Sequence, residues 1–126
     1  MSPNDTIDYS LLLRANLVRV FNERDSGRRA AAIQELYADD AVLHEPDAIV
    51  RGQAAINAAV DKLLAQLPPD FVFEAAGPAL GHHGAGCMPW RGEGAGGTMK
   101  LRGMDMVLLE NGRIASLFVL IDAGQP

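Results

Sequence analysis

The spacing of apolar residues changes once along this chain, and the change falls at Pro68-Pro69. Before it, apolar residues recur every three or four positions, the spacing of one helix face. Leu11, Leu12, Ala15, Val18 and Phe21 predict a first helix, with Asp5 or Thr6 as its cap, that ends at Asp25-Ser26-Gly27. Ser26 is placed to cap a second helix from Arg28 to Tyr37, with Ala30, Ile33, Leu36 and Tyr37 on its buried side. A short strand, Ala41 to Glu45, stops at Pro46, which has no N–H for a ladder. Residues 47–52 read as a loop. The strongest stripe, Ile56, Val60, Leu63, Leu64 and Leu67, predicts a third helix from Gln53 to about Leu67.

Past the two prolines the signals are those of strands. Phe71-Val72-Phe73 opens one, Gly81 to Gly84 makes a turn, and Ala85 to Arg91 is a second, where Pro89 demands a bulge or an edge. Glu93 to Thr98 is glycine-rich and reads as a flexible connection. Lys100 to Leu109 is a third strand, Asn111-Gly112 a type I′ turn, and Arg113 to Ile121 a fourth. Helices followed by a meander of strands make an α+β fold. No repeat or linker divides the 126 residues, so one domain is expected, with its core from about 8 to 122.

Charge and composition narrow the function. A net charge of −5 leaves no basic face to neutralise phosphates, so nucleic acid is not an expected partner. The N-terminal stretch lacks the basic and apolar regions of a leader, and no apolar run approaches the roughly 20 residues of a membrane span. Cys87 is the single cysteine, which rules out an internal disulfide. A cytoplasmic location is expected, with no membrane partner.

Three local words carry a resemblance: Leu36-Tyr37-Ala38-Asp39-Asp40-Ala41, Arg51-Gly52-Gln53-Ala54-Ala55-Ile56, and Gly103-Met104-Asp105 through Glu110-Asn111-Gly112-Arg113-Ile114. With the order of elements they resemble the nuclear transport factor 2-like superfamily, in its branch of SnoaL-like polyketide cyclases and ketosteroid isomerases, over about residues 11 to 122. The resemblance implies three N-terminal helices in the concave face of a strongly curved, mixed or antiparallel sheet. It also implies an open-mouthed cavity for a small apolar molecule and a homodimer. In ketosteroid isomerases the general base is an acidic residue directly before a proline; Glu45-Pro46 holds that place here. A second acidic residue, which acts as a protonated donor, corresponds to Asp105. The sequence departs from that pattern in the first helix, where Leu17 to Phe21 contains no tyrosine, and in the third, where Ala59 and Val60 stand near the places of supporting tyrosines. Steroid isomerisation itself is therefore not expected.

The residues argue for the same two carboxylates without the resemblance. Glu45 shares a strand face with Leu43, and Asp105 alternates with Val107 and Leu109, so both point among apolar side chains. Desolvation raises a carboxyl's proton affinity, which lets one act as base while the other stays protonated. The plainer role for Asp105 is a bond to backbone or to Arg102. Trp90 and Met88 share a strand face that the resemblance points inward, which implies pocket wall with Val107 and Val119, and Trp90 is equally well placed as simple core. His82-His83 falls at a turn, where His83 can reach a ligand from the rim, while adjacent histidines face opposite ways and make a poor metal site. His44 should face away from Glu45, and Cys87 lacks the partner a nucleophile needs. Phe118 falls on the outer face, as an interface candidate. Two aspartates bridged by arginine, as in limonene epoxide hydrolases, would need Arg102 beside Asp105 and Asp122, but three-residue spacing puts Arg102 on the opposite face. The expectation is acid–base chemistry of isomerase, cyclase or dehydratase type on a small apolar carbonyl compound, without metal or cofactor. The alternative is a non-catalytic ligand-binding or dimerisation protein.

Overall fold

The computed structural model describes residues 6–122. The first helix, α1 (Tyr9–Asn16), continues into a π-helical turn, Leu17–Phe21. Asp8 caps it by accepting from the Leu11 N–H at 2.9 Å. The cap is therefore Asp8 rather than Thr6, and Asp5 lies outside the described residues. The buried face is Tyr9, Leu13, Asn16, Leu17, Val20 and Phe21. Leu11 and Val18, expected inside, are 68% and 63% exposed. The buried positions keep regular three- and four-residue spacing on a face adjacent to the one read off the sequence, so the helix stands as expected and only its inward face differs.

Asp25 rather than Ser26 caps α2 (Ser26–Leu36), accepting from the Arg28 N–H at 2.8 Å. Its buried side is Arg29, Ala32 and Ile33, with Ala30 exposed. Arg29 is fully buried and reaches across to α3 (Gln53–Ala65), where it binds Asp61 at 2.5 Å and the Asn57 side-chain oxygen at 3.1 Å. On α3 the expected stripe stands: Ile56, Val60 and Leu64 are buried, and Leu63 and Leu67 are half-buried.

The sheet has seven strands: β1 (Tyr37–Glu45), β2 (Ala48–Arg51), β3 (Val72–Ala75), β4 (Leu80–His82), β5 (Ala85–Gly94), β6 (Met99–Glu110) and β7 (Arg113–Asp122). Their order is β2-β1-β7-β6-β5-β3, with β4 also on β5. The β1–β7 pair is parallel and the others antiparallel, so the sheet is mixed and open at its edges. The helices cover one face, and the α+β architecture is the one expected.

Several strand readings change. Tyr37 leaves α2 directly in extended conformation, so β1 starts four residues early. Residues read as a loop form β2, paired to β1 through Leu43↔Val50 and Glu45↔Ala48. The turn read as Gly81 to Gly84 shrinks to His83-Gly84, with φ of 53° and 83°, and β4 precedes it. Pro89 imposes no bulge, because β5 and β6 keep one register from Ala85↔Leu108 to Gly94↔Met99. Its carbonyl faces the gap between β3 and β4, where it accepts from the Ala76 N–H, and the missing proline N–H costs no ladder bond there. The glycine-rich stretch is strand as far as Gly94. A Cβ at Gly92 would stand 2.4 Å from the Phe71 ring, which lies across this strand in place of a side chain. Asn111-Gly112 turns with both φ positive, 53° and 78°, as a type I′ turn requires.

Candidate functional site

The inner sheet face and the helices enclose a cavity of about 40 Å³, walled by Leu17 and Phe21 from the π turn, Leu63 from α3, and the sheet residues Glu45, Phe73, Trp90, Leu101, Asp105, Val119 and Ile121. Strand parity explains the sheet's share, since Glu45, Trp90, Asp105 and Val119 occupy inward positions of β1, β5, β6 and β7, with Asp105 directly opposite Val119 in the ladder. Leu17 and Phe21, four residues apart on one face of the first helix, supply the other side.

Trp90 is 3% exposed and lies edge-to-face with Phe73, ring centroids 5.4 Å apart. Its ladder partner on β6 is Gly103. A Cβ there would sit 2.5 Å from the indole, so the glycine is what lets the ring lie against the sheet. The indole N–H and the Asp105 Oδ2 are both buried and neither meets hydrogen-bond geometry with any partner. Asp105 is 2% exposed, and desolvation pushes its carboxyl up to about 7; the nearby indole N–H favours the ionised form and offsets part of that rise. Glu45 is half-buried. Burial and the neighbouring Asp47 raise its proton affinity, and Lys62 acts against them. A neutral carboxylic acid and an indole N–H therefore offer two donors to the cavity that the half-buried Glu45 also faces.

Behind this wall lies a polar pair that the sequence reading did not single out. Tyr37 is completely buried and donates its hydroxyl to the Asn16 side-chain oxygen at 2.5 Å, while the Asn16 amide nitrogen has no partner. Burial, then the Asp105 charge, drives the Tyr37 hydroxyl well above its usual proton affinity. Tyr37 was read only as helix core, and its pairing with Asn16 joins residues 21 apart with no local spacing to announce it.

Of the expected site residues, Asp105, Glu45, Trp90 and Val119 meet at the cavity. Met88 and Val107 face the same way but are packed into the core, 0% and 2% exposed, and do not line it. His83 is exposed in the β4–β5 turn, apart from the cavity, with its Nδ1 3.1 Å from that of His82. His44 stacks on Phe118 on the outer face, centroids 4.0 Å apart. Arg102 pairs with Asp122 at 2.9 Å, also on the outer side, so the arginine does not bridge Asp105 to Asp122. Cys87 is half-buried on that side. Leu17, Phe21, Leu63, Phe73, Leu101 and Ile121 are walls that sequence reasoning missed, although Phe21, Leu63 and Phe73 carried an apolar signal. Wider depressions on the surface, such as one of about 390 Å³ against Asp70, Glu74 and Arg91, are open to solvent and hold no buried titratable group. Among the described residues no three His, Cys, Asp or Glu side chains are grouped to hold a metal ion, and no helix is long and apolar enough to cross a membrane.

Comparison with known proteins agrees with this architecture. No curated protein matches the chain. Among solved structures, a candidate isomerase of the SnoaL-like family from Agrobacterium tumefaciens is 25% identical, with a TM-score of 0.82 over 90% of this chain and 96% of that one. A candidate polyketide cyclase from Sinorhizobium meliloti is 19% identical, with a TM-score of 0.69 over 89% of this chain and 95% of that one. A candidate ketosteroid isomerase from Kribbella flavida is 17% identical, with a TM-score of 0.74 over 99% of this chain and 86% of that one. The latter two likenesses bear on the fold alone. A family model for the SnoaL-like domain matches residues 15–117, most of the chain, and the chain therefore belongs to the SnoaL-like domain family.

Proposed function

We propose that this chain is a small-molecule enzyme of acid–base type, an isomerase, cyclase or dehydratase acting on a small apolar carbonyl compound held in the internal cavity. The observation that carries this reading is Asp105, a carboxyl 2% exposed whose proton is retained up to about pH 7 and whose Oδ2, near the Trp90 indole, is not held in full hydrogen-bond geometry. A buried acid of that kind is costly to the fold and useful as a donor to an oxygen that gains negative charge. In the reaction Glu45 removes a proton from the carbon beside the carbonyl. Protonated Asp105 and the Trp90 N–H hold the resulting enolate oxygen, and Glu45 returns the proton elsewhere on the substrate. No redox partner or cofactor enters.

Exchange of solvent deuterium into small ketones, followed by proton NMR, tests this directly. Glu45→Gln should slow exchange by about 10²- to 10⁴-fold, and Asp105→Ala by about 10²- to 10³-fold. Undiminished exchange in both variants would remove the two carboxyls from the mechanism. A second reading, a binding protein without turnover, is favoured by the size of the cavity, about 40 Å³, against ~300–1,000 Å³ for common ligand sites. Ligand binding without exchange would select it.

In either case we read residues 1–126 as one SnoaL-like domain, cytoplasmic, acting as a homodimer through the outer face of its sheet. Support for the dimer is an apolar row that crosses five strands on that face: Leu80, Cys87, Met106, Phe118 and the stacked His44, each the ladder neighbour of the next.

A further inference from the structure

The cavity wall is informative for what it omits. Its ten residues include two carboxyls, Glu45 and Asp105, and no lysine, arginine or histidine. A ligand carboxylate or phosphate would bring a further negative charge into an apolar enclosure with no cation to meet it, which is among the costliest arrangements a protein can hold. What the wall does offer is one indole N–H close to one carboxyl oxygen, neither held in full hydrogen-bond geometry. With the carboxyl protonated, that pair satisfies a single acceptor oxygen on an uncharged molecule.

Size narrows the ligand further. Leu13, Val20, Leu43, Ile56 and Val60, each no more than 1% exposed, belong to the packed core around the cavity, and the Phe21, Phe73 and Trp90 rings lock edge-to-face with centroids 5.4–6.1 Å apart. Close-packed interiors of this kind do not expand without loss of stability. The apolar wall is least tightly packed at Ile121, 42% accessible, and at the half-buried Leu63, Leu101 and Val119, and Glu45 is half-buried as well. Leu101 and Ile121 point to the same side of neighbouring strands, two positions apart in the ladder, because Ile121 pairs with Gly103.

We infer that the site takes a small, uncharged carbonyl compound, that the absence of a cation from the wall shuts out anionic molecules, and that Ile121, Leu101 and Leu63, which must move to admit a ring, are the specificity-determining residues that shut out polycyclic ones. The inference rests on reading this cavity as the ligand site, and it holds whether or not the ligand is turned over.

Trp90 is the chain's single tryptophan, so its indole N–H gives one NMR signal that reports occupancy. The probes are 2-cyclopentenone, 3-oxocyclopentanecarboxylate and a tetracyclic steroid enone, titrated at pH 6, where Asp105 keeps its proton and the keto acid is ionised. Cyclopentenone should shift the indole signal saturably, the keto acid should bind at least about tenfold more weakly, and the steroid should leave the signal in place. Ile121→Ala should admit a bicyclic enone that the native protein refuses. A keto acid that binds as tightly as cyclopentenone, a steroid that binds the native protein, or an indole signal unmoved by every probe would each overturn the inference. Saturable cyclopentenone binding without deuterium exchange would instead overturn catalysis and leave the specificity standing. Exchange catalysed on the keto acid would do the reverse.

Discussion

Asp105 couples folding to pH in the opposite sense from a surface carboxylate. An unfolded aspartate gives up its proton near pH 3.9, whereas the buried one keeps it to about 7. Between those limits the folded state binds more protons than the unfolded state, so stability falls as pH rises and levels off above about 7. The loss across that window is on the order of 4 kcal/mol for this residue, and the raised proton affinity of Glu45 adds to it in the same direction. Asp105→Asn removes the ionisation and keeps the shape. Its urea midpoint should change little between pH 5 and pH 8, while that of the native protein drops, and equal slopes in the two proteins would show that Asp105 is not the buried acid. Period-two alternation placed Asp105 and Glu45 among apolar side chains, and the family resemblance was needed to turn the Trp90 and Met88 face inward. Neither could separate a residue that lines the cavity from one that is merely core, and so Met88 and Val107 were grouped with the wall. That distinction depends on which neighbours are small, as Gly103 is, and on contacts such as Asn16 to Tyr37 that no local pattern encodes.

Elements were legible in proportion to how strongly their own side chains declare them. The α3 stripe and the Asn111-Gly112 turn carry complete local signals and stand where the sequence put them. The short strands β2 and β4 have exposed, mixed side chains and exist because a longer neighbour pairs with them, which only the assembled sheet reveals. The first helix was legible as a helix, but its inward face was not, because apolar Leu11 and Val18 point outward while polar Asn16 is buried. Asn22, just past its π turn, ties that helix to the sheet. Its side chain both donates to the Phe73 carbonyl at 2.7 Å and accepts from the Phe73 N–H at 2.8 Å, closing the free edge of β3 as another strand would. Glycine positions matter at this scale too. At Gly103 an added methyl would stand 2.1 Å from the Leu120 carbonyl oxygen as well as against the Trp90 ring. Gly103→Ala should lower stability by about 1–3 kcal/mol and alter the near-ultraviolet circular dichroism of Trp90, because the β6–β7 pairing and the indole must both shift. A variant with native dichroism and native urea midpoint would mean that the ring does not depend on this close approach.

At the scale of the whole molecule the sheet has two faces and the helices cover only one. On the other, Leu80, Met106, Leu108 and Leu120 are 72%, 44%, 49% and 48% exposed, more apolar surface than the isolated leucine that needs no explanation. The resemblance that implied a homodimer named no surface for it, and outward parity on β7 had pointed to Phe118. In the sheet Phe118 is the fourth member of a row that runs from Leu80 to His44, so the candidate patch spans the sheet rather than one strand. A stable interface needs about 800 Å² from each partner, and a second copy laid on this row would also bury Met104 and Leu120 on its flank. Met106 stands at the middle of the row and points away from the core, so a charge there can break association without unfolding the chain. Met106→Lys should convert a dimer to a monomer in sedimentation equilibrium with its circular dichroism intact. The same substitution should abolish the rise in unfolding midpoint with protein concentration that mass action imposes on a dimer. A variant that still dimerises would move the interface to another surface. A native protein that sediments as a monomer, with a midpoint independent of concentration, would leave the row without a partner of its own kind. Because Asp105 points inward from the residue next to Met106 on β6, the ligand site and the proposed interface are opposite sides of one strand, and loss of the dimer should register as a shift in the Trp90 indole signal even before any ligand is added.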